Sequence, residues 1–244
     1  MAALIEVDGV SKSYGALRAT DSVSFALAAG ETLGIIGPNG AGKTTLFNLI
    51  SGDVRPDAGR IRFDGRDITA FAPHQRCRSG IGRSYQVPQP FDGMTVFENL
   101  LVGAAFGGAK PEREAIDVAA DVIRKTGLAA KANQLAGALT LLDRKRLELA
   151  RALATAPKLL LLDEIAGGLT EKEARQLVEL VQWISGRGVT IIWIEHVVHA
   201  LIAVATRLLV MNFGAKLTEG DPREVMASPE VKRVYLGIEP EATA

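Results

Sequence analysis

The stretch GPNGAGKTT, from Gly37 to Thr45, limits the possible folds of this chain more than any other part of the sequence. It fits the pattern G-x-x-x-x-G-K-[ST] of a phosphate-binding P-loop. The apolar segment 31–37 predicts a buried strand before it, and the spacing of apolar residues after Lys43 predicts a helix. A glycine loop between a strand and a helix is the context that the motif requires. The sequence therefore predicts a P-loop fold of the α/β class.

The residue types within this loop match the chemistry of a bound nucleoside triphosphate. Its glycines allow backbone N–H groups to converge on phosphate oxygens, because glycine places no Cβ in the way, and the helix N-terminus adds a favourable dipole. We expect Lys43 to contact the β and γ phosphates and Thr44 to bind Mg²⁺. An ordinary glycine-rich turn is the alternative interpretation. The predicted nucleotide-binding residues of the loop are Gly37, Pro38, Asn39, Gly40, Ala41, Gly42, Lys43, Thr44 and Thr45.

The composition is typical of a folded, globular protein. Of the 244 residues, 48% are hydrophobic and 23% are charged, and 28 basic residues balance 28 acidic ones. Because the net charge is zero, we expect no nucleic-acid partner. The single cysteine, Cys77, cannot form an internal disulfide, which favours a reducing compartment. The start of the chain does not resemble a secretory signal, and every apolar run is shorter than the ~20 residues of a spanning helix, so any membrane role is expected to be peripheral.

The first two thirds of the chain divide into a region with strands and a region of helices. Segments 4–7 and 23–27 predict antiparallel strands, and segment 60–65 predicts an edge strand and turn. Segment 87–157 has apolar residues three and four apart, which predicts a helical subdomain inserted in the fold.

The last third predicts a parallel sheet. Two continuously apolar strands, 158–164 and 189–196, alternate with helical segments, as a sheet covered on both faces requires. The predicted fold is a P-loop NTPase core with a mostly parallel sheet, an N-terminal antiparallel β-subdomain and an inserted helical subdomain. In this division, residues 1–86 and 158–244 form the nucleotide-binding core with its β-subdomain, and residues 87–157 form the helical subdomain.

Two carboxylates follow the apolar strand LLLL. Ligands of open α/β sheets bind at the carboxyl ends of strands, so we expect Asp163 and Glu164 to lie beside the phosphate loop. Asp163 is then predicted to bind Mg²⁺, and Glu164 to polarise the attacking water. The alternative is that the pair only favours the start of the next helix.

Three further residues are candidates for the site. His196 follows an apolar strand and could hydrogen-bond the γ phosphate, although a structural histidine is the usual reading of such a position. Gln86 follows a short strand at the boundary of the helical insert, where its amide could contact the metal or the water and respond to motion of the insert. Tyr14 could stack on a base or simply pack. His74 and His199 lack such a setting and are expected to be structural.

The order of these motifs resembles that of the ATP-binding cassette (ABC) ATPase family, across nearly the whole chain. The resemblance is carried by Tyr14, GPNGAGKTT, Gln86, a signature-like helix start at 139–143, LLLLDE and His196. It implies a magnesium-dependent ATPase in which Lys43, Gln86, Glu164 and His196 take part in hydrolysis. It also implies that two cassettes sandwich two ATP molecules, so that each signature turn contacts the partner's ATP.

The signature turn departs from the family pattern Leu-Ser-Gly-Gly-Gln. Thr140 keeps a hydroxyl that can cap the helix and face the partner's γ phosphate, but Leu141 and Leu142 replace glycines and Asp143 replaces glutamine. Leucine side chains can obstruct an anion, and Asp143 is expected to bring negative charge toward a nucleotide unless Arg144, Lys145 and Arg146 offset it. A weakened turn favours a heterodimer with a more regular cassette. The competing view is a homodimer whose turn works through its backbone and Thr140.

Within the family, segments 88–104 and 217–237 are most similar to ATPase subunits of bacterial branched-chain or hydrophobic amino acid importers. This similarity implies membrane-spanning subunits and a second ABC ATPase as partners, a periplasmic solute-binding protein acting indirectly, and a place at the cytoplasmic face of the inner membrane. A lipopolysaccharide-export cassette is a near alternative. A soluble cassette acting on ribosomes or DNA, a non-hydrolysing regulatory cassette and a P-loop kinase or GTPase fit the sequence less well.

Overall fold

The computed structural model describes residues 3–236. Within this range no helix combines the length and the apolar character needed to cross a membrane. The strands are β1 (Ala3–Tyr14), β2 (Leu17–Ala28), β3 (Thr32–Ile36), β4 (Ala58–Phe63), β5 (Arg66–Asp67), β6 (Ile81–Arg83), β7 (Leu159–Asp163), β8 (Thr190–Ile194), β9 (Arg207–Asn212) and β10 (Ala215–Gly220). The helices are α1 (Lys43–Ser51), α2 (Pro73–Ser79), α3 (Val96–Val102), α4 (Glu112–Lys125), α5 (Leu141–Ala154), α6 (Glu171–Ser185), α7 (Val198–Ile202), α8 (Pro222–Ala227) and α9 (Pro229–Leu236).

The first compact unit contains the chain up to Phe71 and from Ile192 onward. Its N-terminal part is an antiparallel sheet in the order β2-β1-β4-β5. The predicted strands at 4–7 and 23–27 are confirmed as parts of a longer hairpin that closes between Tyr14 and Leu17. The expectation that segment 60–65 forms an edge strand is wrong, because β4 pairs with β1 on one side and with the two-residue strand β5 on the other.

The same unit holds the strand that leads into the P-loop. This strand, β3, is fully buried, and it lies between β8 and β9. It pairs in parallel with β9, which forms an antiparallel hairpin with β10. This hairpin was not predicted from the sequence, and the helical segment predicted after β8 is limited to the five residues of α7. The predicted class, α/β with an N-terminal antiparallel sheet and parallel strands at the P-loop, is confirmed.

The second unit runs from Ala72 to Ile191. The strands β6 and β7 pair in parallel, and the described residues between Arg83 and Leu159 form no further named strand. Instead α3, α4 and α5 share a core of small and aliphatic side chains. Apolar residues spaced three and four apart lie on one side of a helix, and each helix buries that side in the shared core. The boundaries 87 and 157 of the helical subdomain stay a prediction. Fully buried members of the core include Val96, Leu100, Ala104, Ala115, Ala119, Leu128, Leu147 and Ala150.

Candidate functional site

The P-loop follows β3 directly and ends where α1 begins. Its last residue, Gly42, has φ 95° and is the N-cap of α1. A Cβ at this position would lie 2.1 Å from the carbonyl oxygen of Ala19, so only glycine fits the close approach of the two backbones. Gly40 also has a left-handed conformation, with φ 80°, and open space beside it. The loop therefore has the tight backbone path that an anion-binding turn requires.

The side chain of Lys43 lies within this loop. It is 6% exposed, and its Nζ donates to the carbonyl oxygens of Gly37 at 2.7 Å and Pro38 at 3.0 Å. The turn between β9 and β10 supports the loop from another side, because the N–H of Gly214 donates to the carbonyl of Ala41 at 3.1 Å. A buried ammonium held by the loop's own carbonyls is positioned to meet a phosphate that enters the loop.

The other predicted residues of the first unit occupy more open positions. The side chain of Thr44 is exposed at the start of α1. Tyr14 ends β1 with 47% exposure, and its ring centroid lies 5.8 Å from the Nζ of Lys12. His196 is exposed two residues after β8, and its backbone N–H donates to the Glu195 carboxylate at 3.0 Å.

The acidic pair ends strand β7 in the second unit. Asp163 is buried, and its carboxylate forms an ion pair with Arg83 at 3.2 Å. Glu164 has φ 46°, a left-handed conformation that non-glycine residues rarely adopt and that is often found at active sites. This backbone turn directs the chain away from the strand immediately after Asp163. The two carboxylates thus have different environments, one paired and buried and one at the end of the strand.

The side chains of Gln86 and Glu164 form a hydrogen bond that was not predicted from the sequence. The Nε2 of Gln86 donates to the Oε2 of Glu164 at 2.5 Å, although 78 residues separate them along the chain. The parallel pairing of β6 with β7 explains this proximity, because both residues follow the carboxyl ends of adjacent strands. Lys145 of α5 lies at the same place, with its Nζ 3.4 Å from the Gln86 carbonyl and 3.5 Å from the Glu164 carbonyl.

The signature-like turn is a well-capped helix start. Thr140 is the N-cap of α5, and its Oγ1 accepts from the N–H of Asp143 at 3.3 Å, as predicted. Asp143 was expected to bring negative charge toward a nucleotide unless nearby cations offset it, and its side chain is only 7% exposed and pairs with Lys131 and, at 3.7 Å, with Arg146. Burial raises the pKa of Asp143, but the hydrogen bonds from Lys131 and Thr140 and the nearby cations outweigh it, so the pKa is lowered.

The two leucines remain the main departure in this turn. Leu141 is 45% exposed, and Leu142 is half-buried, so an apolar side chain stands where the family has glycine. Arg144, which was expected to offset Asp143, instead donates to the carbonyl oxygens of Gly137 and Leu139. The hydroxyl of Thr140 also donates to the Asp143 carboxylate at 2.7 Å, so both of its hydrogen-bonding functions are used within the turn.

Three residues shape the site through contacts that were not predicted from the sequence. Arg83 neutralises Asp163, Lys131 neutralises Asp143, and Lys145 contacts the backbone of Gln86 and Glu164. All three contacts join residues at least 12 apart, so no local pattern in the sequence marks them. The P-loop, Tyr14 and His196 belong to the first unit and the other predicted residues to the second. The predicted placement of the acidic pair beside the phosphate loop stays a prediction.

The residues present suit Mg²⁺ and a triphosphate. No three His, Cys, Asp or Glu side chains within residues 3–236 cluster into a metal cage made by protein alone. A magnesium ion that binds phosphates needs only one or two protein oxygens, since phosphate and water supply the others. The hydroxyl of Thr44 and the carboxylate of Asp163 are oxygens of this kind. The glycine loop and Lys43 supply the donors and the charge that phosphates require.

Comparisons with known proteins identify the family of this chain. A family model described as ABC transporter matches residues 20–167. BraF of Pseudomonas aeruginosa, a high-affinity branched-chain amino acid transport ATP-binding protein, is 36% identical and is aligned over 98% of its length and 96% of this chain. LivG of Salmonella typhimurium, which has the same description, is 37% identical with the same coverage. LptB of Acidithiobacillus ferridurans, a lipopolysaccharide export system ATP-binding protein, is 34% identical, with 98% of its length and 97% of this chain aligned.

Solved structures show the same fold over nearly the whole chain. A nucleotide-free ATP-binding cassette of an ABC transporter superposes with a TM-score of 0.88 at 32% identity, covering 97% of this chain and 100% of the other. The ADP conformation of such a cassette gives a TM-score of 0.86 at 30% identity, covering 98% and 100%. The chain belongs to the ABC transporter family, as one of its ATP-binding and ATP-hydrolysing subunits.

Proposed function

We propose that this chain is the ATPase subunit of a bacterial importer of branched-chain or other hydrophobic amino acids. The observation that carries the proposal is the end-to-end similarity to BraF and LivG, which are named for branched-chain amino acid transport. The alignment includes the helical region of the second unit, and family-typical segments 88–104 and 217–237 point the same way. Cargo itself would be recognised by other subunits.

Lipopolysaccharide export is the second candidate. It is supported by the similarity to LptB, which covers as much of the chain at slightly lower identity. Both candidates use the same ATPase chemistry, so they differ in the partner subunits and in the cargo. The experiment below therefore measures transport, which differs between the two candidates.

The proposed roles of the residues follow from their chemistry. The loop 37–45 binds the phosphates, with Lys43 neutralising the β and γ phosphates, and Tyr14 offers its ring to the base. Bound Mg·ATP supplies the phosphoryl group that is transferred to water. Thr44, Asp163 and Gln86 contribute the metal-binding oxygens. Glu164 accepts the proton of the attacking water, His196 donates a hydrogen bond to the γ phosphate, and Thr140 faces the ATP of the partner cassette.

The proposed partners are two membrane-spanning subunits and a second ABC ATPase, at the cytoplasmic face of the inner membrane. A heterodimer is favoured over a homodimer because Leu141 and Leu142 replace the glycines of the signature turn. A periplasmic solute-binding protein would act through the membrane subunits. Gln86 would respond to motion of the helical region and so link hydrolysis to transport.

Uptake by intact cells tests the proposal. A strain that lacks this gene is expected to lose uptake of radiolabelled leucine and to regain it with the wild-type gene or with Lys172→Ala, which changes an exposed lysine of α6. Lys43→Ala should not restore uptake, because the phosphates lose their buried cation. Unchanged leucine uptake in the deletion strain would contradict the import proposal, and a defect in lipopolysaccharide transport in the same strain would establish the export alternative.

A further inference from the structure

One side of helix α5 holds the segment that carries Gln86. Lys145, Glu148 and Arg151 are spaced three residues apart, so they lie along one side of the helix. Each of them contacts the backbone of segment 85–91. We call these three residues the α5 clamp.

The first residue of the clamp joins two residues of the proposed hydrolytic site. The Lys145 ammonium is 3.4 Å from the carbonyl oxygen of Gln86 and 3.5 Å from that of Glu164. These distances are at the long end for hydrogen bonds, so each contact is weak alone. Lys145 is only 5% exposed, however, and the attraction between a cation and two carbonyl dipoles is stronger where water is excluded. A single ammonium therefore fixes the two backbones relative to each other.

The backbone of Glu164 needs such support. Its left-handed conformation, with φ 46°, persists only where surrounding contacts hold it. Its carbonyl oxygen accepts from the N–H of Gly167 at 3.3 Å and is also within reach of Lys145. These two contacts hold the peptide that follows the carboxylate-bearing residue, and so they define where the Glu164 carboxylate is presented.

The other two clamp residues hold the far end of the same segment. The Nη1 of Arg151 donates to the carbonyl of Gln89 at 2.6 Å, and the guanidinium lies 4.9 Å from the ring centroid of Phe91. The carboxylate of Glu148, which is 4% exposed, accepts from the N–H of Gln89 at 3.3 Å. Because these contacts limit the freedom of segment 85–91, the position of Gln86 depends on α5.

From these contacts we infer that Lys145 is a positioning residue for ATP hydrolysis. It binds the carbonyl oxygens of both Gln86 and Glu164 and so fixes the relative position of their backbones. It also connects this pair to helix α5. The inference rests on the proposed role of Glu164 as the base. Loss of the Lys145 ammonium is therefore expected to displace the Glu164 carboxylate without removing it.

Two substitutions of Lys145 separate this role from simple packing. Lys145→Met keeps a similar apolar stem and removes the charge, whereas Lys145→Arg keeps a cation with several donors. If Lys145 only filled space, Met would be tolerated at least as well as Arg. If its cation positions the two carbonyls, Arg must retain more activity than Met. Lys172→Met, at an exposed position on α6, is the matched control for loss of one lysine.

The measurements are steady-state ATPase kinetics on the assembled transporter, ATP affinity without magnesium, and the melting temperature. For Lys145→Met we expect kcat to fall about tenfold to a hundredfold, the effect of a small misplacement of a reacting group. The KM and the ATP affinity are expected to stay near the wild-type values, because the phosphate loop is unchanged. Lys145→Arg should lose less, and Lys172→Met should lose nothing.

Three results would overturn the inference: a kcat for Lys145→Met within twofold of wild type, equal activity of the Met and Arg variants, or a loss of ATP affinity in parallel with kcat. The last result would indicate a general structural role. Failure of the proposed role of Glu164 is recognised separately, because Glu164→Gln would then keep turnover near the wild-type rate. If the wild-type enzyme hydrolyses ATP and the Lys145→Met variant is unimpaired, only the proposed role of Lys145 is contradicted.

Discussion

At the residue scale, the side chains around Glu164 are held by partners that lie far away in the sequence. Gln86 donates to its carboxylate at 2.5 Å, and Lys145 contacts its carbonyl at 3.5 Å. A left-handed conformation at a non-glycine residue costs about 1–3 kcal/mol, which the surrounding contacts must offset.

Glu164→Gln tests the assignment of the base. The substitution preserves the size of the side chain and removes its ability to accept a proton, so ATP binding is expected to persist while kcat falls about 10²–10⁴-fold. Steady-state ATPase kinetics and nucleotide binding by the purified protein provide the measurement. Glu171→Gln, at an exposed position on α6, should keep wild-type activity. Turnover near the wild-type rate in Glu164→Gln would show that another group takes the proton.

Asp143→Asn tests the charge balance of the signature turn. The folded-state pKa of Asp143 is lowered, so its carboxylate stabilises the protein above the unfolded-state pKa, and this stabilisation is lost as pH falls through the folded-state value. The substitution weakens the pairing with Lys131 and Arg146 and is expected to lower the free energy of unfolding by about 2 kcal/mol at neutral pH. Urea unfolding of both proteins at several pH values should show the difference shrinking below about pH 4, near the unfolded-state pKa. A difference that does not change with pH would contradict the ion-pair explanation.

Site residues with a fixed local spacing can be predicted from the sequence, whereas contacts between distant residues cannot. The P-loop was identified from its sequence because glycine and lysine at fixed local spacing create the site. The pairs Lys131–Asp143 and Arg83–Asp163 were missed, since they join residues 12 and 80 positions apart. The pairing of Asp143 with Lys131 was therefore not predicted, whereas an offset by Arg146 was among the expectations.

At the element scale, one buried side-chain amide holds the segment that leads into α3. Asn99 is fully buried, and its side chain accepts from the N–H of Phe91 at 2.9 Å and donates to the carbonyls of Phe91 at 3.1 Å and Thr95 at 2.9 Å. Thr95 and Glu98 complete a capping box at the same helix start. These bonds fold the segment after Gln86 back onto α3.

Asn99→Ala should therefore destabilise this region. Removal of the amide leaves the N–H of Phe91 without its acceptor and takes one of two donors from the carbonyls of Phe91 and Thr95, at a cost of about 1–3 kcal/mol. Chemical denaturation of the purified protein measures the loss, and Asn133→Ala, at an exposed position, should change it little. If Asn99→Ala were as stable as wild type, the amide would not be what holds the segment.

Elements with local signals were predicted better than those without them. The helix start at α5 was predicted from Thr140 as a cap, and α6 begins with a capping box of Thr170 and Glu173, which is also a local signal. The hairpin β9–β10 was missed because its turn, at Phe213 and Gly214, joins an apolar strand to a half-polar one, and short apolar runs do not distinguish strand from helix. The sequence predicts segment 60–65 as an edge because the two-residue strand β5, which pairs beside it, is too short to show a pattern.

At the scale of the whole molecule, the two regions proposed to contact nucleotide differ in how closely their residues follow the family pattern. The P-loop, Asp163 and Glu164 keep the residues of a working ATPase, whereas the turn at Thr140 carries leucines instead of glycines. The structure gives this turn a sound helix cap and neutralises Asp143, so charge repulsion does not weaken it. If the turn binds phosphate weakly, the cause must be the exposed side chain of Leu141 and its neighbour Leu142. These side chains limit how closely a phosphate can approach the backbone.

In the proposed heterodimer, the two composite sites should therefore differ in activity. The site built from this chain's P-loop and the partner's regular turn should carry most of the hydrolysis, and the site facing Leu141 should carry little. Glu164→Gln in this chain is expected to abolish nearly all turnover of the assembled transporter, whereas replacing the corresponding glutamate of the partner should leave most of it, as ATPase assays of the two single-variant complexes can show. Leu141→Gly with Leu142→Gly should raise the activity of the second site, detectable as renewed turnover in the Glu164→Gln background. Equal losses from the two glutamate variants, or no gain from the glycines, would instead support a turn that works through its backbone and Thr140, because then the leucines would not obstruct the phosphate.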